Sequence, residues 1–317
     1  MNTAFLLAAG FGSRLRPLTL ARPKPLLPVG GVTMLDHALA HVRAHGHEKV
    51  LVNAHHLWEQ VATWAQANGV ELQVELPEIL GTGGGLRAAR DRMASRFVVV
   101  NGDILSDVDL TALMDAMPPE GAAMALRPDP AADQIGPVEA DAEGRVVRIS
   151  SVVRSGEGQG GTHFTGIHAM SHAAVSRVPP EGLQCVVRTA YKELVPMGLV
   201  GATRHLGGWF DVGTLAAYLR ANMDVLHGRL HAPIDLWSVG AHGPGGSWVG
   251  NQAQVDGVIH GSLVGARAHV PFEASLRGCV VWDGVQVPPG DHVDSVIFGP
   301  PSEDGVCHPG EVLGLEA

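Results

Sequence analysis

The chain has 317 residues, of which 45% are hydrophobic and 17% are charged, and its formal net charge is −10. This length predicts one large domain with a smaller one, and the negative charge argues against a nucleic-acid partner. No apolar run approaches the roughly 18–20 residues that a membrane span requires, so no membrane association is expected. The three cysteines, Cys185, Cys279 and Cys307, are far apart in sequence, which predicts a reduced, cytoplasmic protein without a disulfide framework.

The first hundred residues alternate between strand and helix patterns. Residues 3–9 are apolar after Thr3, as expected of a strand that is covered on both faces. Further strands are predicted over 49–53, 70–75 and 96–100, and helices over 34–45, 57–68 and 82–93. This alternation predicts an α/β fold with a Rossmann-like, mixed but mostly parallel sheet and helices on both faces. Ligands of such sheets bind outside the carboxyl ends of the strands.

The pattern is looser in the middle of the chain. The spacing of apolar residues predicts strands over 122–126, 146–149, 163–169 and 200–205, a helix over 185–195 and a loop over 154–161. A further helix is predicted after Thr214, ending near His227.

Residues 229–246 are rich in His, Pro and Gly and predict a linker. Beyond them, strand-like triplets that begin at Ala253, Ala268 and Val285 recur at intervals of 15 and 17 residues. Tetrapeptides that begin at residues 262, 279 and 295 recur at intervals of 17 and 16. Repeats of about 17–18 residues predict a short left-handed parallel β-helix, and an irregular sandwich of short strands is the alternative.

The loop after the first strand carries the clearest chemical signal. Residues 6–30 read LLAAGFGSRLRPLTLARPKPLLPVG and contain Gly10, Gly12, Ser13, Arg14 and a lysine, Lys24, between two prolines. Glycine lets backbone amides approach an anion closely. Arginine adds a planar fork and lysine a point charge for phosphate oxygens. The combination predicts a polyphosphate site, against the alternative of a glycine-rich surface turn with solvated arginines.

Three other positions suit phosphate and metal chemistry. Asp103 follows an apolar strand, and Asp211 lies between apolar residues. A carboxylate in such a place is a hard oxygen ligand suited to Mg²⁺, although a turn or helix-capping role is the alternative. The turn over 81–85 is rich in glycine and opens a helix, which favours an anion or a nucleobase lying against the backbone.

These motifs resemble those of the sugar-1-phosphate nucleotidylyltransferases, or NDP-sugar pyrophosphorylases, over residues 1 to about 226. Within that family the chain is most similar to the N-acetylmuramate-1-phosphate uridylyltransferases and the mannose- or heptose-1-phosphate guanylyltransferases. The resemblance implies the nucleotide-diphospho-sugar transferase fold and a Mg²⁺-dependent enzyme. Its partners would be an NTP, with UTP or GTP favoured, and a sugar 1-phosphate. The domains implied are a catalytic domain over 1–228, the linker over 229–246 and the β-helix over 247–317.

The resemblance also assigns roles to residues. It implies that Arg14, Lys24, Asp103 and Asp211 are catalytic and that the two aspartates coordinate Mg²⁺. The nucleotide-binding positions that it implies are Ala8, Ala9, Gly10, Gly12, Ser13, Arg14, Lys24, Gly81, Thr82, Gly83, Gly84, Asn101 and Gly102. Those for the sugar phosphate are Thr165, Gly166 and Arg188.

The chain departs from the family in one respect. Many relatives have a Glu-Lys-Pro motif whose lysine binds the sugar phosphate, whereas residues 145–161 of this chain contain no lysine. Arg188 is the candidate that replaces it, with Arg148 and Arg154 as rivals.

Two other functions stay open at the level of sequence. One is a regulatory protein that binds nucleotide sugars without catalysis, and the other adds an acyltransferase activity in the C-terminal β-helix. A structural role for that segment, in capping the chain or in forming a homo-oligomer, is the simpler expectation.

Overall fold

The computed structural model describes residues 2–297, 299 and 312–314. The chain divides into two compact units, one formed by residues 1–10 and 38–209 and the other by residues 11–37 and 210–317. Within the described residues, no helix has both the length and the apolar character of a membrane span.

The strands and helices have the following bounds. The strands are β1 (Thr3–Leu7), β2 (Pro28–Val29), β3 (Val32–Thr33), β4 (Lys49–Ala54), β5 (Glu71–Val74), β6 (Arg96–Asn101), β7 (Ile104–Ser106), β8 (Ala122–Pro128), β9 (Pro137–Ala140), β10 (Val146–Ile149), β11 (Val153–Arg154), β12 (Gln159–Ser171), β13 (Val200–Arg204), β14 (Trp209–Asp211), β15 (Gly240–Gly243), β16 (Ser247–Gly250), β17 (Gln254–Val255), β18 (Val258–His260), β19 (Leu263–Val264), β20 (His269–Val270), β21 (Ala274–Arg277), β22 (Val280–Val281), β23 (Gly290–Val293), β24 (Ser295–Ile297) and β25 (Val312–Gly314). The α-helices are α1 (Leu18–Ala21), α2 (Met34–Ala44), α3 (Trp58–Asn68), α4 (Gly81–Ala89), α5 (Leu110–Asp115), α6 (Ala132–Ile135), α7 (His172–Val175), α8 (Lys192–Leu194) and α9 (Leu215–Leu226).

The first unit is built on a mixed sheet with a parallel centre. Its strand order is β11-β10-β9-β12-β6-β1-β4-β5, and β8 pairs with both β12 and β13. Phe5 of β1 lies between Leu51 of β4 and Val99 of β6 in two parallel pairs, whereas β12 runs antiparallel to β6. The mixed α/β fold predicted from the sequence is therefore confirmed. Because β1, β4 and β6 are parallel, their carboxyl ends meet at one edge of the sheet.

The core of this unit packs around the sheet and includes α4 and the segment before β13. It contains fully buried aromatic side chains such as Phe5, Phe97 and Tyr191. The Tyr191 hydroxyl lies 2.7 Å from His168 Nδ1. Burial lowers the pKa of His168 to about 3, so this imidazole is neutral in the folded protein.

Two segments of this unit differ from the sequence-based expectation. The predicted loop over 154–161 is partly strand, because β12 begins at Gln159 and pairs with Ala140 of β9. The predicted helix over 185–195 is a π-helical turn, Val187–Tyr191, followed by α8. In it the Tyr191 amide donates to the Val186 carbonyl five residues earlier, at 3.1 Å.

In the second unit, the chain after the glycine-rich loop packs against C-terminal residues. The Gly30 amide donates to Asn222 Oδ1 at 3.0 Å, and Asn222 is fully buried on α9. Gly31 has a positive φ of 81°, and a side chain there would overlap the indole of Trp248. Positions 30 and 31 therefore need both the conformational freedom and the small size of glycine.

Arg22, two residues before Lys24, is held by the same part of the chain. Its guanidinium lies over the Trp282 ring at 4.6 Å from the centroid, and Trp282 Nε1 donates to the Tyr218 hydroxyl at 3.0 Å. Such contacts explain why residues 11–37 group with residues 210–317. The domain boundaries predicted at 228 and 246 stay predictions. Within the predicted linker, β15 pairs with β16 and Leu236 is buried.

The C-terminal strands form parallel ladders at the intervals of the sequence repeat. Trp248 pairs with Leu263, Leu263 with Val280, and Val280 with Val296, at separations of 15, 17 and 16 residues. Two more ladders, β17-β20 and β18-β21-β23, run in parallel, and β25 is antiparallel to β24. The predicted strands are present, and their assembly into a left-handed β-helix stays a prediction.

Candidate active site

A cavity of about 200 Å³ lies in the first unit at the carboxyl ends of β1, β4 and β6. It is lined by Leu7, Ala9, Gly10, Asn53, Ile79, Gly81, Thr82, Asn101 and Asp103. The nucleotide-binding residues predicted from the sequence supply Ala9, Gly10, Gly81, Thr82 and Asn101, and the predicted metal ligands supply Asp103. Three motifs that are far apart in sequence therefore share one cavity, as the sheet topology requires.

Asp103 occupies the short turn between β6 and β7. The Gly102 amide donates to the Leu7 carbonyl at 2.9 Å, which ties this turn to the end of β1. Asp103 is half-buried, and it lines the cavity together with the neighbouring Asn101.

Gly166 packs against Asn101. It has a φ of 81°, and a Cβ there would lie 2.6 Å from Asn101 Nδ2, so only glycine fits. The neighbouring Thr165 is buried, and its hydroxyl donates to the Ala125 carbonyl at 2.9 Å. The roles of Thr165 and Gly166 in sugar binding stay predictions.

The glycine-rich turn at the start of α4 is shaped by the segment 184–186. The Gly83 amide donates to the Gln184 carbonyl at 2.8 Å, and Thr82 Oγ1 accepts from the Val186 amide at 3.1 Å. A Cβ on Gly81 would lie 2.7 Å from that same Gln184 carbonyl oxygen. Gly83 and Gly84 are buried, and it is Gly81 and Thr82 that line the cavity.

Sequence reasoning missed Asn53, which lines the cavity, and Glu75, which is hydrogen-bonded to it. Both are 2% exposed. Asn53 Oδ1 accepts from the Ala8 amide at 2.7 Å, and its Nδ2 donates to Glu75 Oε1 at 2.8 Å. Glu75 Oε2 accepts from the Leu80 amide at 2.8 Å. An asparagine inside the apolar strand KVLVNA was the available signal, because a buried polar side chain requires partners.

In the second unit, Gly12 sets the conformation of the loop that carries Lys24. Gly12 has a φ of 61°, and a Cβ there would lie 2.9 Å from both Lys24 Cβ and Thr19 Cγ2. The Thr19 hydroxyl donates to the Gly12 carbonyl at 3.0 Å. Glycine is thus needed here for close packing of the loop onto itself, in addition to any approach to an anion.

Two cations lie next to Asp211 in this unit. Lys24 is 8% exposed, and its Nζ lies 3.6 Å from Asp211 Oδ1. A Cβ placed on Gly213 would be 3.2 Å from Asp211 Oδ2 and 3.4 Å from Arg14 Nη1. Arg14, Lys24 and Asp211 therefore lie close together, and Gly213 leaves room for the guanidinium; their roles in phosphate and metal binding stay predictions. Asp103 belongs to the first unit and Asp211 to the second, and their shared Mg²⁺ stays a prediction.

The candidate arginines for the sugar phosphate differ in their partners. Arg148 Nη1 lies 2.5 Å from Glu139 Oε1, and Arg154 Nη2 lies 3.1 Å from the same oxygen. Arg188 is exposed on the π-helical turn, and it forms no ion pair with any residue that the structure describes. The charges of Arg148 and Arg154 are thus already neutralised in part, and the role of Arg188 in binding the sugar phosphate stays a prediction.

Comparison with known proteins shows the family of this chain. The family model for nucleotidyl transferases matches residues 3–151, a range that includes every residue lining the cavity. The chain is 30% identical over 303 residues to mannose-1-phosphate guanylyltransferase of Mycobacterium tuberculosis, covering 90% of this chain and 81% of that protein. The chain belongs to the sugar-1-phosphate nucleotidylyltransferase family.

Further similarities agree with this assignment. The chain is 31% identical over 232 residues to N-acetylmuramate alpha-1-phosphate uridylyltransferase of Neisseria meningitidis, covering 67% of this chain and 93% of that protein. The crystal structure of HddC from Yersinia pseudotuberculosis, complexed with GMP-PN, matches with a TM-score of 0.57 at 20% identity. That match covers 70% of this chain and 98% of HddC and supports the fold. The family membership and the enzyme class predicted from the sequence are confirmed.

Proposed function

We propose that this enzyme transfers a nucleotidyl group from an NTP to a sugar 1-phosphate and releases pyrophosphate. The observation that carries the proposal is the cavity at the ends of β1, β4 and β6, because it gathers Ala9, Gly10, Gly81, Asn101 and Asp103 from three separate motifs. Its lining of glycine and other small residues suits a nucleotide, which binds through its flat base and its phosphates.

The reaction requires stabilisation of the negative charge on the phosphates more than it requires acid–base catalysis. A phosphate monoester has a second pKa near ~6, so the attacking oxygen of the sugar phosphate is already ionised at neutral pH. This oxygen attacks the α-phosphorus in line while the bond from the α-phosphorus to the bridging oxygen breaks and pyrophosphate leaves. Arg14 and Lys24 bind the phosphate chain and stabilise the charge on the leaving group. Arg188 binds the sugar phosphate.

Asp103 and Asp211 are the proposed Mg²⁺ ligands. Carboxylate oxygens are the donors that Mg²⁺ prefers, and the half-buried Asp103 side chain lines the cavity. These carboxylates would hold the ion, which would supply positive charge to offset that of the α-phosphate under attack.

GTP and UTP are the proposed nucleotides, and mannose 1-phosphate with GTP is the first pair to test. The similarity to the mannose-1-phosphate guanylyltransferase extends over 90% of this chain, including its C-terminal part. The test is release of pyrophosphate with each of the four NTPs and a panel of hexose, heptose and N-acetylmuramate 1-phosphates. Release that depends on one NTP and one sugar phosphate is expected. Nucleotide-sugar binding without release across the panel would favour the regulatory protein.

We further propose that the C-terminal ladders form a left-handed β-helix that supports a homo-oligomer. The three parallel ladders and their 15–17 residue spacing support this arrangement. Light scattering of the purified chain tests the oligomer, and a monomer at all concentrations would refute it.

A further inference from the structure

A buried carboxylate joins two stretches of backbone that border the cavity. Glu75 follows β5 and is 2% exposed. One of its oxygens accepts from Asn53 Nδ2 at 2.8 Å, and the other accepts from the Leu80 amide at 2.8 Å. Asn53 in turn accepts from the Ala8 amide at 2.7 Å. A single chain of hydrogen bonds therefore runs from the end of β1 to the residue before α4.

The residues fixed by this chain adjoin the cavity directly. Ala9 and Gly10 follow Ala8, Gly81 and Thr82 follow Leu80, and Asn53 itself is part of the lining. A Cβ on Gly85 would lie 2.6 Å from Glu75 Oε1, so α4 also packs directly against this carboxylate. Few rearrangements are open to the network, because each buried donor already faces its acceptor.

We propose that Glu75 and Asn53 are positioning residues for the nucleotide and that they act through the backbone at Ala8 and Leu80. This inference rests on the proposed function for its ligand, an NTP. Loss of either partner leaves a buried polar group without a hydrogen bond and lets the two backbone segments separate. Nucleotide affinity then falls although neither side chain carries out the chemistry.

An exchange of donor and acceptor tests this proposal. In Glu75→Gln, the new amide satisfies either Asn53 or the Leu80 amide, but not both. In Asn53→Asp, the new carboxylate opposes the carboxylate of Glu75. In the double variant, the amide nitrogen at position 75 donates to the carboxylate at position 53, while its oxygen accepts from the Leu80 amide. The double variant restores all three hydrogen bonds and the original net charge.

Each single variant is expected to raise the KM for NTP at least about tenfold, with a smaller change in kcat, as for loss of a hydrogen bond to a charged group. The double variant is expected to return the KM to within about threefold of the wild type. Gln73→Met is the matched control, because Gln73 is also buried on β5 and donates to the Gly85 carbonyl, but does not line the cavity. This control is expected to lower Tm and leave the KM unchanged.

Failure of this inference is distinguishable from failure of the proposed function. The dissociation constant of the nucleotide alone can be measured by calorimetry even if the wild type releases no pyrophosphate. We expect it to rank the variants in the same order as their KM for NTP. The positioning role is refuted if the single variants bind nucleotide as tightly as the wild type does. It is also refuted if the double variant binds nucleotide no more tightly than the weaker-binding of the two single variants. It is also refuted if Gln73→Met raises the KM as much as the single variants.

Discussion

Replacement of Gly12 by alanine tests whether the packing of the loop positions Lys24, one of the two cations proposed to bind phosphate. Gly12 has a φ of 61°, and its added Cβ would meet Lys24 Cβ and Thr19 Cγ2 at 2.9 Å each. Lys24 Cβ is bonded directly to the backbone and cannot rotate out of the way, and rotation of the Thr19 side chain would break its hydrogen bond to the Gly12 carbonyl. The loop must shift if the methyl group is to fit.

The expected cost has two parts. The left-handed conformation costs alanine about 1–2 kcal/mol relative to glycine, and overpacking adds about 1–3 kcal/mol. A lower entropy of the unfolded chain returns about 0.4–1 kcal/mol. The sum for Gly12→Ala is a loss of about 1–5 kcal/mol in the free energy of unfolding.

A second glycine provides the control for backbone strain. Gly46, at the end of α2, has a φ of 76°, but its added Cβ would meet nothing within 4 Å. Gly46→Ala carries the same conformational cost and the same unfolded-state gain, so the difference between the two variants isolates overpacking. We expect Gly12→Ala to be less stable than Gly46→Ala by about 1–3 kcal/mol.

Urea-induced unfolding measures the stability of both variants, and steady-state kinetics measures their KM for NTP. Only Gly12→Ala is expected to raise the KM, because its loop carries Lys24. Equal stability of the two variants, or an unchanged KM in Gly12→Ala, would show that the packing of Gly12 does not position the lysine.

Three more predictions follow from single side chains. Lys24→Ala is expected to raise the KM for NTP by roughly ten- to a hundredfold through loss of a charged contact. The control Lys192→Ala, at an exposed position, is expected to leave the KM unchanged. Equal effects of the two variants would show that Lys24 does not bind the nucleotide. Trp282→Ala empties a fully buried position beneath Arg22 and is expected to lower the free energy of unfolding by about 3–5 kcal/mol. The control Trp237→Ala, at a half-buried position, is expected to lower it less. A smaller loss for Trp282→Ala would contradict the packing described. The pKa of His168 is lowered from 6.5 to about 3 in the folded protein, so the unfolded state binds its proton first and stability falls as pH drops from about 6.5 towards 3. His168→Phe should therefore reduce the slope of unfolding free energy against pH near pH 5 by about 1.4 kcal/mol per pH unit, and an unaltered slope in urea titrations would refute a neutral buried imidazole.

Much of the fold could be predicted because hydrophobic patterns decide it locally. The apolar run at the N-terminus is β1, and the helix predicted over 57–68 ends at Gly69, whose φ of 64° lets its amide cap the last turn. The recurrence of residues 262, 279 and 295 matches the ladder of β19, β22 and β24. In each of these cases a local sequence pattern was sufficient to predict the element.

The rest depends on contacts between distant segments. The strand pairing of Gln159 with Ala140 joins backbone atoms, which leave no mark on side-chain hydropathy. The π-helical turn at Val187–Tyr191 shares its apolar spacing with an α-helix.

The same limit applies to the site. Gly12 was predicted to face an anion, whereas its positive φ and its contact with Lys24 Cβ give it a packing role as well. Asn53 and Glu75 are 22 residues apart, and only the fold shows that they share a hydrogen bond. The candidate phosphate and metal ligands could be named from their residue types, but the residues that hold them in place could not.

Oxygen tracing tests the central claim most directly. The sugar 1-phosphate is labelled with ¹⁸O at its phosphate oxygens, and the products formed with unlabelled NTP and Mg²⁺ are analysed by mass spectrometry. If a sugar-phosphate oxygen attacks the α-phosphorus, the nucleotide sugar retains every labelled oxygen and pyrophosphate carries none. Label in pyrophosphate, or formation of a nucleoside monophosphate with no nucleotide sugar, would contradict the account.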